Sequence, residues 1–374
     1  TRELPSYSRG SKASKRADPA AAAATEGGAP RLLQDYESDS SSNREQEREQ
    51  PSPHQEIKEE QSYRMLFDEM QSPRHQHPDV LEEPLRRCAL RWMIEDGLDR
   101  FIDDEDELAK AREQLKRTYN AYNADGELRV RYKRTITIAG KEYGRLYAVK
   151  GVGLQTMKRE VRGALLRDAM ANSPGVVYKD IDMANAQPTI LLHACWGEHV
   201  PHLKDYVENR EQCLKAVMED SECSRSVAKN LFITLLYFGD YRTWCFKHGL
   251  VPREWSVTCK IARQFSEDVI AAVDAVPLRL PDAFTDKAAE MERTKRSEAA
   301  REGKPVPANL YRKQLMYIAL SSYEDYIREN ASRSVAEQGG KVVAHMHDGL
   351  IIRDDHGSVD LAKVFCKGAA EGAG

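Results

Sequence analysis

Beyond about residue 85 the apolar positions recur mostly at helical spacing, and they alternate with polar ones at only a few places. Leu85, Leu90, Trp92, Met93, Leu98, Phe101 and Ile102 predict a helical segment, and 107–122 a second, charged one. Residues 130–138 alternate as a half-buried strand does, and Gly140, Gly144, Gly151 and Gly153 break the next stretch of chain into turns. Further on, the pattern predicts a strand at 176–182, helices around 188–196, 221–238, 257–273 and 310–329, and a hairpin over 341–353. Residues 282–304 read as a charged helical insertion. Strands carrying acids amid long helices predict an α+β fold, without internal repeats.

The first 84 residues lack such a pattern. They hold an alanine run at 20–24, a serine cluster at 38–42 and, over 35–62, only Tyr36 and Ile57 as sizeable apolar groups. A stretch of this kind buries too little surface to offset its chain entropy, so 1–84 is expected to be a disordered tail or linker. The remainder divides into a basic region at 85–175 and the longest apolar elements at 176–374.

The whole chain of 374 residues has a net charge of −4, from 56 Lys and Arg against 60 Asp and Glu. Its distribution is more telling. Between Arg129 and Arg167 eleven cations face two acids, the footprint expected where phosphates are neutralised. Tyr132, Tyr143 and Tyr147 add rings that stack on bases or sugars; a solvated basic face is the alternative. No apolar run is long enough to cross a bilayer. Seven cysteines without a CxxC pair argue against a disulfide scaffold or a zinc ribbon, so reduced thiols and an intracellular setting are expected.

Three constellations carry chemistry. Asp180 and Asp182 end the strand at 176–182 on one face, with Pro188 suited to the first turn of the next helix; strand-end carboxylates beside a helix start can hold a hard divalent cation, though they also serve as caps. Arg225, Lys229, Ile233 and Tyr237 are successive i, i+4 neighbours, so two cations and a phenol share one helical stripe that can grip a triphosphate and stack a base, or simply face solvent. His347-Asp348-Gly349 is a tight-turn sequence that sets a carboxylate at a hairpin tip. A zinc site built on His345 and His347 lacks further ligands.

In this order the three resemble motifs A, B and C of the family A nucleic-acid polymerases, the DNA polymerase I type. Lys229 lies 47 residues after Asp182, and Asp348 119 residues after Lys229. Upstream, Gly144-Arg145-Leu146, Leu154-Gln155, Arg159 and Val161-Arg162 resemble the family's stretch leading into motif A. The resemblance, over roughly 143–353, implies a right-hand palm with helical fingers and a reduced thumb-like N-terminal region. It implies a template-dependent DNA polymerase using two Mg²⁺ ions, a primer-template and dNTPs. Asp182 and Asp348, with the Met183 carbonyl, would be the metal ligands; register against residues 190–193 favours Asp182 over Asp180. Arg159, Arg225 and Lys229 would meet the phosphates, Gln187 the sugar, and Tyr237 the templating position. Arg145, Gln155, Arg162 and His347 would meet primer and template.

Departures from the family pattern are Gln187 where DNA polymerases carry Glu, Ile233 where an aromatic is usual, Phe238 between Tyr237 and Gly239, and Gly349 in place of an acid. No room exists in 85–142 for a proofreading exonuclease, and the 26 residues after Asp348 look like a shortened C-terminal piece. The tail at 1–84 would be an attachment for accessory replication proteins. An RNA polymerase or primase-like synthase, and a catalytically silent nucleic-acid-binding module, are the alternatives.

Overall fold

The computed structural model describes residues 80–195, 198–361 and Val364. Most of the expected disordered tail therefore lies outside the described residues. Its last part does not: Val80–Glu83 is a strand, β1, with Leu81 and Glu83 turned inward. β1 pairs antiparallel with β2 (Leu128–Ile138), which pairs with β3 (Lys141–Ala148). The turn between β2 and β3 is Ala139-Gly140, both at positive φ (48° and 77°), the backbone that matches the twist of a two-residue hairpin.

Helix α1 (Arg87–Trp92) runs into a π-helical turn at Met93–Gly97, and α2 (Glu105–Tyr119) starts where Asp104 accepts from the Glu107 amide at 2.8 Å. After α3 (Arg159–Ala171) comes β4 (Tyr178–Asp182). Next along the chain are α4 (Ala186–Ala194), α5 (Pro201–Glu208), α6 (Arg210–Ser221), α7 (Arg225–Leu236), α8 (Tyr241–Lys247), α9 (Val257–Ala275), α10 (Asp282–Glu302) and α11 (Leu310–Glu337). The helix expected over 221–238 is in fact the end of α6 and all of α7. Glu222 turns left-handed (φ 50°), and Ser224 starts α7 by capping the Val227 amide.

The chain closes with β5 (Lys341–His345) and β6 (Gly349–Arg353). β6 lies between β4 and β5, antiparallel to both. Gly349 to Ile352 are buried on both faces, as befits the central strand of a covered sheet. The fold is thus α+β, with two small antiparallel sheets among helices.

Three cores hold it. Around α4–α11, Tyr206 stacks on Phe232 (4.0 Å between ring centroids) and Phe265 meets both edge-on. Ile181, Leu350 and Ile352 of the second sheet pack with Ala331 and Val335 of α11 and with Val359 and Val364. The remaining core joins α1–α3 and β1–β3 to Val343, Ala344 and Ile351 of the second sheet. The boundary expected at 175/176 therefore cuts through a shared core. No helix among the described residues is long and apolar enough to cross a membrane, and the six described cysteines are free.

Candidate active site

β4 and β6 bring the first and third sequence motifs together. Asp182 pairs with Gly349 across the ladder, and the Met183 amide donates to the Asp348 carbonyl oxygen at 2.9 Å. The β5–β6 turn is closed by the Met346 amide on the Gly349 carbonyl (3.0 Å), which places Asp348 beside the end of β4. Burial, then the neighbouring charges of Asp180 and Asp348, hold the Asp182 carboxyl above its ordinary range, against the pull of Arg162 and Arg159. Asp180 is paired with Arg162 (2.7 Å), while Asp182, at the end of β4, feels the charge of Asp348.

Two hard oxygen donors under mutual repulsion suit a divalent cation. Among the described residues no group of three or more His, Cys, Asp or Glu is assembled to hold a metal. A cation here would therefore take most of its shell from carbonyl, water or substrate oxygens, as Mg²⁺ commonly does.

A third carboxylate stands close by. Glu324, fully buried on α11, accepts from Arg145 of β3 on both carboxylate oxygens, from Nε (2.5 Å) and Nη2 (2.9 Å). It is also bonded by the Gln187 side chain, and burial pushes its carboxyl up to about 7 despite Arg145, with Asp348 adding to the rise. Gln187 in turn accepts from the Tyr237 hydroxyl at 2.9 Å. Burial works against the Arg145 charge, but the bond to Glu324 outweighs it and holds the guanidinium above its ordinary range. Arg145, Gln187, Tyr237 and Glu324 thus form one chain of hydrogen bonds running from α7 to β3. His347 packs its ring on Tyr147 (5.2 Å), and burial together with Arg145 depresses its pKa against the pull of Asp348.

The cations on α7 are exposed. Arg225 is tied to Glu211 of α6, while Lys229, one turn on, projects from the same stripe. Arg159, at the start of α3, is exposed within electrostatic reach of Asp182.

Several expected contact residues are structural instead. Gln155 is buried, accepts from the Ala148 amide (2.8 Å) and donates to the Leu146 and His345 carbonyls (2.9 and 3.0 Å). Its amide is spent pinning β3 to β5 and is not presented to a duplex. Arg162 is buried against Asp180 and the Met157 carbonyl. Tyr132 donates to buried Glu83 (2.7 Å) and Tyr143 packs edge-on to Phe284, so of the three expected stacking rings only Tyr147 borders the site. His345 is buried with Nδ1 against Arg328 (2.7 Å), which removes the pairing with His347 on a metal.

The acids of α11 escaped the sequence reading. Glu324 and Asp325 answer Arg145 and Arg134, the latter at 2.6 Å, so part of the basic excess at 129–167 is neutralised internally. The available signal was the acid pair within an otherwise apolar helical run, matched to a region with too many arginines.

No protein-family model matches this chain. A stretch of 135 residues, 35% of the chain, is 36% identical to the putative helicase V13 of the Sputnik virophage, and it spans 16% of that protein. Among solved structures, the chain is similar to the POL domain of Pol1 from M. smegmatis, solved in complex with DNA primer-template and dNTP. That likeness covers 85% of this chain and 63% of the other, at 12% identity and a TM-score of 0.43.

Proposed function

We propose that this chain is a template-dependent DNA polymerase of family A type, joining dNTPs to a primer 3′-hydroxyl. The observation that carries the reading is the side-by-side placement of Asp182 and Asp348, far apart in sequence, by β4 and β6. In this reading β4–β6–β5 is the palm, the helices from α4 to α10 supply the fingers, and 80–175 is the thumb-like part.

Asp182 and Asp348, with the Met183 carbonyl, would hold two Mg²⁺ ions. Ions held there would supply a lowered pKa for the attacking hydroxyl and an offset for charge on the α-phosphate and departing pyrophosphate. The protein's own task is mainly positioning and electrostatics. Lys229, Arg225 and Arg159 bind the phosphates; for Arg225 this requires exchanging Glu211 for substrate. Gln187, bonded to Tyr237 and Glu324, would crowd a ribose 2′-hydroxyl and so favour deoxynucleotides over ribonucleotides. Arg145 and His347 meet the primer end, while Gln155 and Arg162 support them from within. We take the setting to be intracellular.

The helicase name of the V13 relative does not transfer: the shared stretch is about one sixth of that protein. Here the three Gly-Lys pairs, at 140, 303 and 340, are followed by Glu, Pro and Val rather than the Ser or Thr of an NTPase phosphate loop.

The test is primer extension with Mg²⁺ and dNTPs. Extension is expected from the native chain and not from Asp182→Ala or Asp348→Ala; extension that survives either substitution overturns the proposal. Binding of primer-template without Mg²⁺-dependent extension would instead mark a silent binding module.

A further inference from the structure

We infer that Trp255 and Phe246 form a stacking platform for single-stranded nucleic acid outside the candidate active site, on the face made by α8 and the loop from 249 to 256. Trp255 is 99% exposed, Phe246 72% and Val251 77%, an unusual display for large apolar side chains.

The loop is not loose. It folds back on α8 through the Leu250 amide on the Cys245 carbonyl (2.9 Å), the Arg253 amide on the Tyr241 hydroxyl (3.3 Å), and Arg242 on Glu254 (2.9 Å). Arg242 and Phe246 are i, i+4 on α8, and Glu254 adjoins Trp255. The bond between Arg242 and Glu254 therefore ties the stretch of loop that carries Trp255 to the helix that carries Phe246.

Charge selects the occupant. From Asp240, which caps α8, to Arg263 there are five cations (Arg242, Lys247, Arg253, Lys260, Arg263) and two acids, Asp240 and Glu254, in a chain that is negative overall. Exposed rings among cations suit bases and phosphates of a flexible strand better than an apolar protein surface. The patch is also continuous with α7: His248, which ends α8, meets Asn230 at 3.0 Å, and Asn230 is the residue after Lys229. Taking the strand to be template on its way to Lys229 and Tyr237 rests on the polymerase reading; the binding itself does not.

The experiment measures affinity of the full chain for primer-templates with a 5′ overhang of one nucleotide or of about 12, a length within the span of common single-strand sites, without Mg²⁺ or dNTP. The native chain is expected to bind the long overhang more tightly. Trp255→Ala and Phe246→Ala should each weaken that complex by about 5- to 100-fold, the loss of one stacked base, and leave the short-overhang complex unchanged, whereas Trp255→Phe should keep most of the native affinity. Equal overhang dependence in all variants overturns the inference. So does a changed oligomeric state on sedimentation with unaltered nucleic-acid affinity, which would make the patch a protein contact. Because no chemistry is measured, a chain that binds the overhang but never extends a primer keeps this platform and loses only the polymerase assignment.

Discussion

The Asp182 carboxylate lies against the Cα of Gly349: a Cβ added there would stand 2.5 Å from Asp182 Oδ1 and 2.1 Å from the Ile181 carbonyl oxygen. The glycine that departs from the family pattern is therefore dictated by the close approach of β4 to β6. Gly349→Ala must push the two strands apart at the point where Asp182 and Asp348 meet. A loss of about 1–3 kcal/mol is expected from overpacking, with primer extension falling further than the melting temperature alone explains. Thermal denaturation beside an extension assay checks this; a variant that melts and extends like the native chain would contradict it.

Asp182 and Asp348 repel one another, and removing one should separate stability from activity. Asp182 has its folded pKa raised, so it favours the folded state at low pH and disfavours it as pH rises through the carboxylate range. In Asp348→Asn one source of that rise is gone. At neutral pH and without divalent cations the variant should be as stable as the native chain or more so, by up to about 1 kcal/mol given solvent screening. The difference should fade toward acid pH. Extension should be lost throughout, and melting curves across pH together with the extension assay test both halves.

Much of the second half was legible because its elements are local: in 341–353 two apolar runs flank a tight-turn sequence, and the i, i+4 stripe from Arg225 to Tyr237 is a property of one helix and its C-terminal cap. The juxtaposition of Asp182 with Asp348 was reachable through the resemblance alone, since no periodicity relates residues so distant. β1 was hidden by the polar stretch before it, because the reason Glu83 is buried lies elsewhere: its carboxylate accepts from Tyr132 and from the Leu154 amide, both at 2.7 Å. Gln155 and Arg162 were misjudged for the same reason. A polar side chain looks like a ligand contact until the fold supplies its internal partners.

Glu324 should give the protein a pH-dependent stability that Gln cannot. Its carboxyl is pushed from 4.5 up to about 7, first by burial. The folded state thus holds this proton more tightly than the unfolded chain. The stabilisation is full below about pH 4.5 and is lost as pH rises through 7. Glu83, also pushed up to about 7 by burial, contributes in the same window, so the comparison must be native against Glu324→Gln. The two should match near pH 4.5 and diverge toward pH 7.5, the native chain showing the steeper decline, by a few kcal/mol at most. Denaturant titrations at several pH values measure it, and parallel slopes would mean that Glu324 is ionised throughout.

The bond between Tyr237 and Gln187 leads to the last expectation, which concerns sugar choice. Gln187 accepts from the Tyr237 hydroxyl at 2.9 Å and also bonds the Glu324 carboxyl, so two partners restrain its amide. Under the polymerase proposal, a side chain that crowds a 2′-hydroxyl discriminates best when it is held in place. Gln187→Ala removes the obstacle and should raise ribonucleotide incorporation relative to deoxynucleotide by at least about tenfold, the scale of about 1.4 kcal/mol. Tyr237→Phe keeps the obstacle but frees one end, so a smaller shift in the same direction is expected, on the scale of one neutral hydrogen bond, about 1 kcal/mol. Competitive incorporation of matched rNTP and dNTP pairs measures both ratios. If Gln187→Ala leaves its ratio unchanged, the side chain guards something other than the sugar. If Tyr237→Phe shifts selectivity more than Gln187→Ala, the ring itself discriminates rather than the amide it holds.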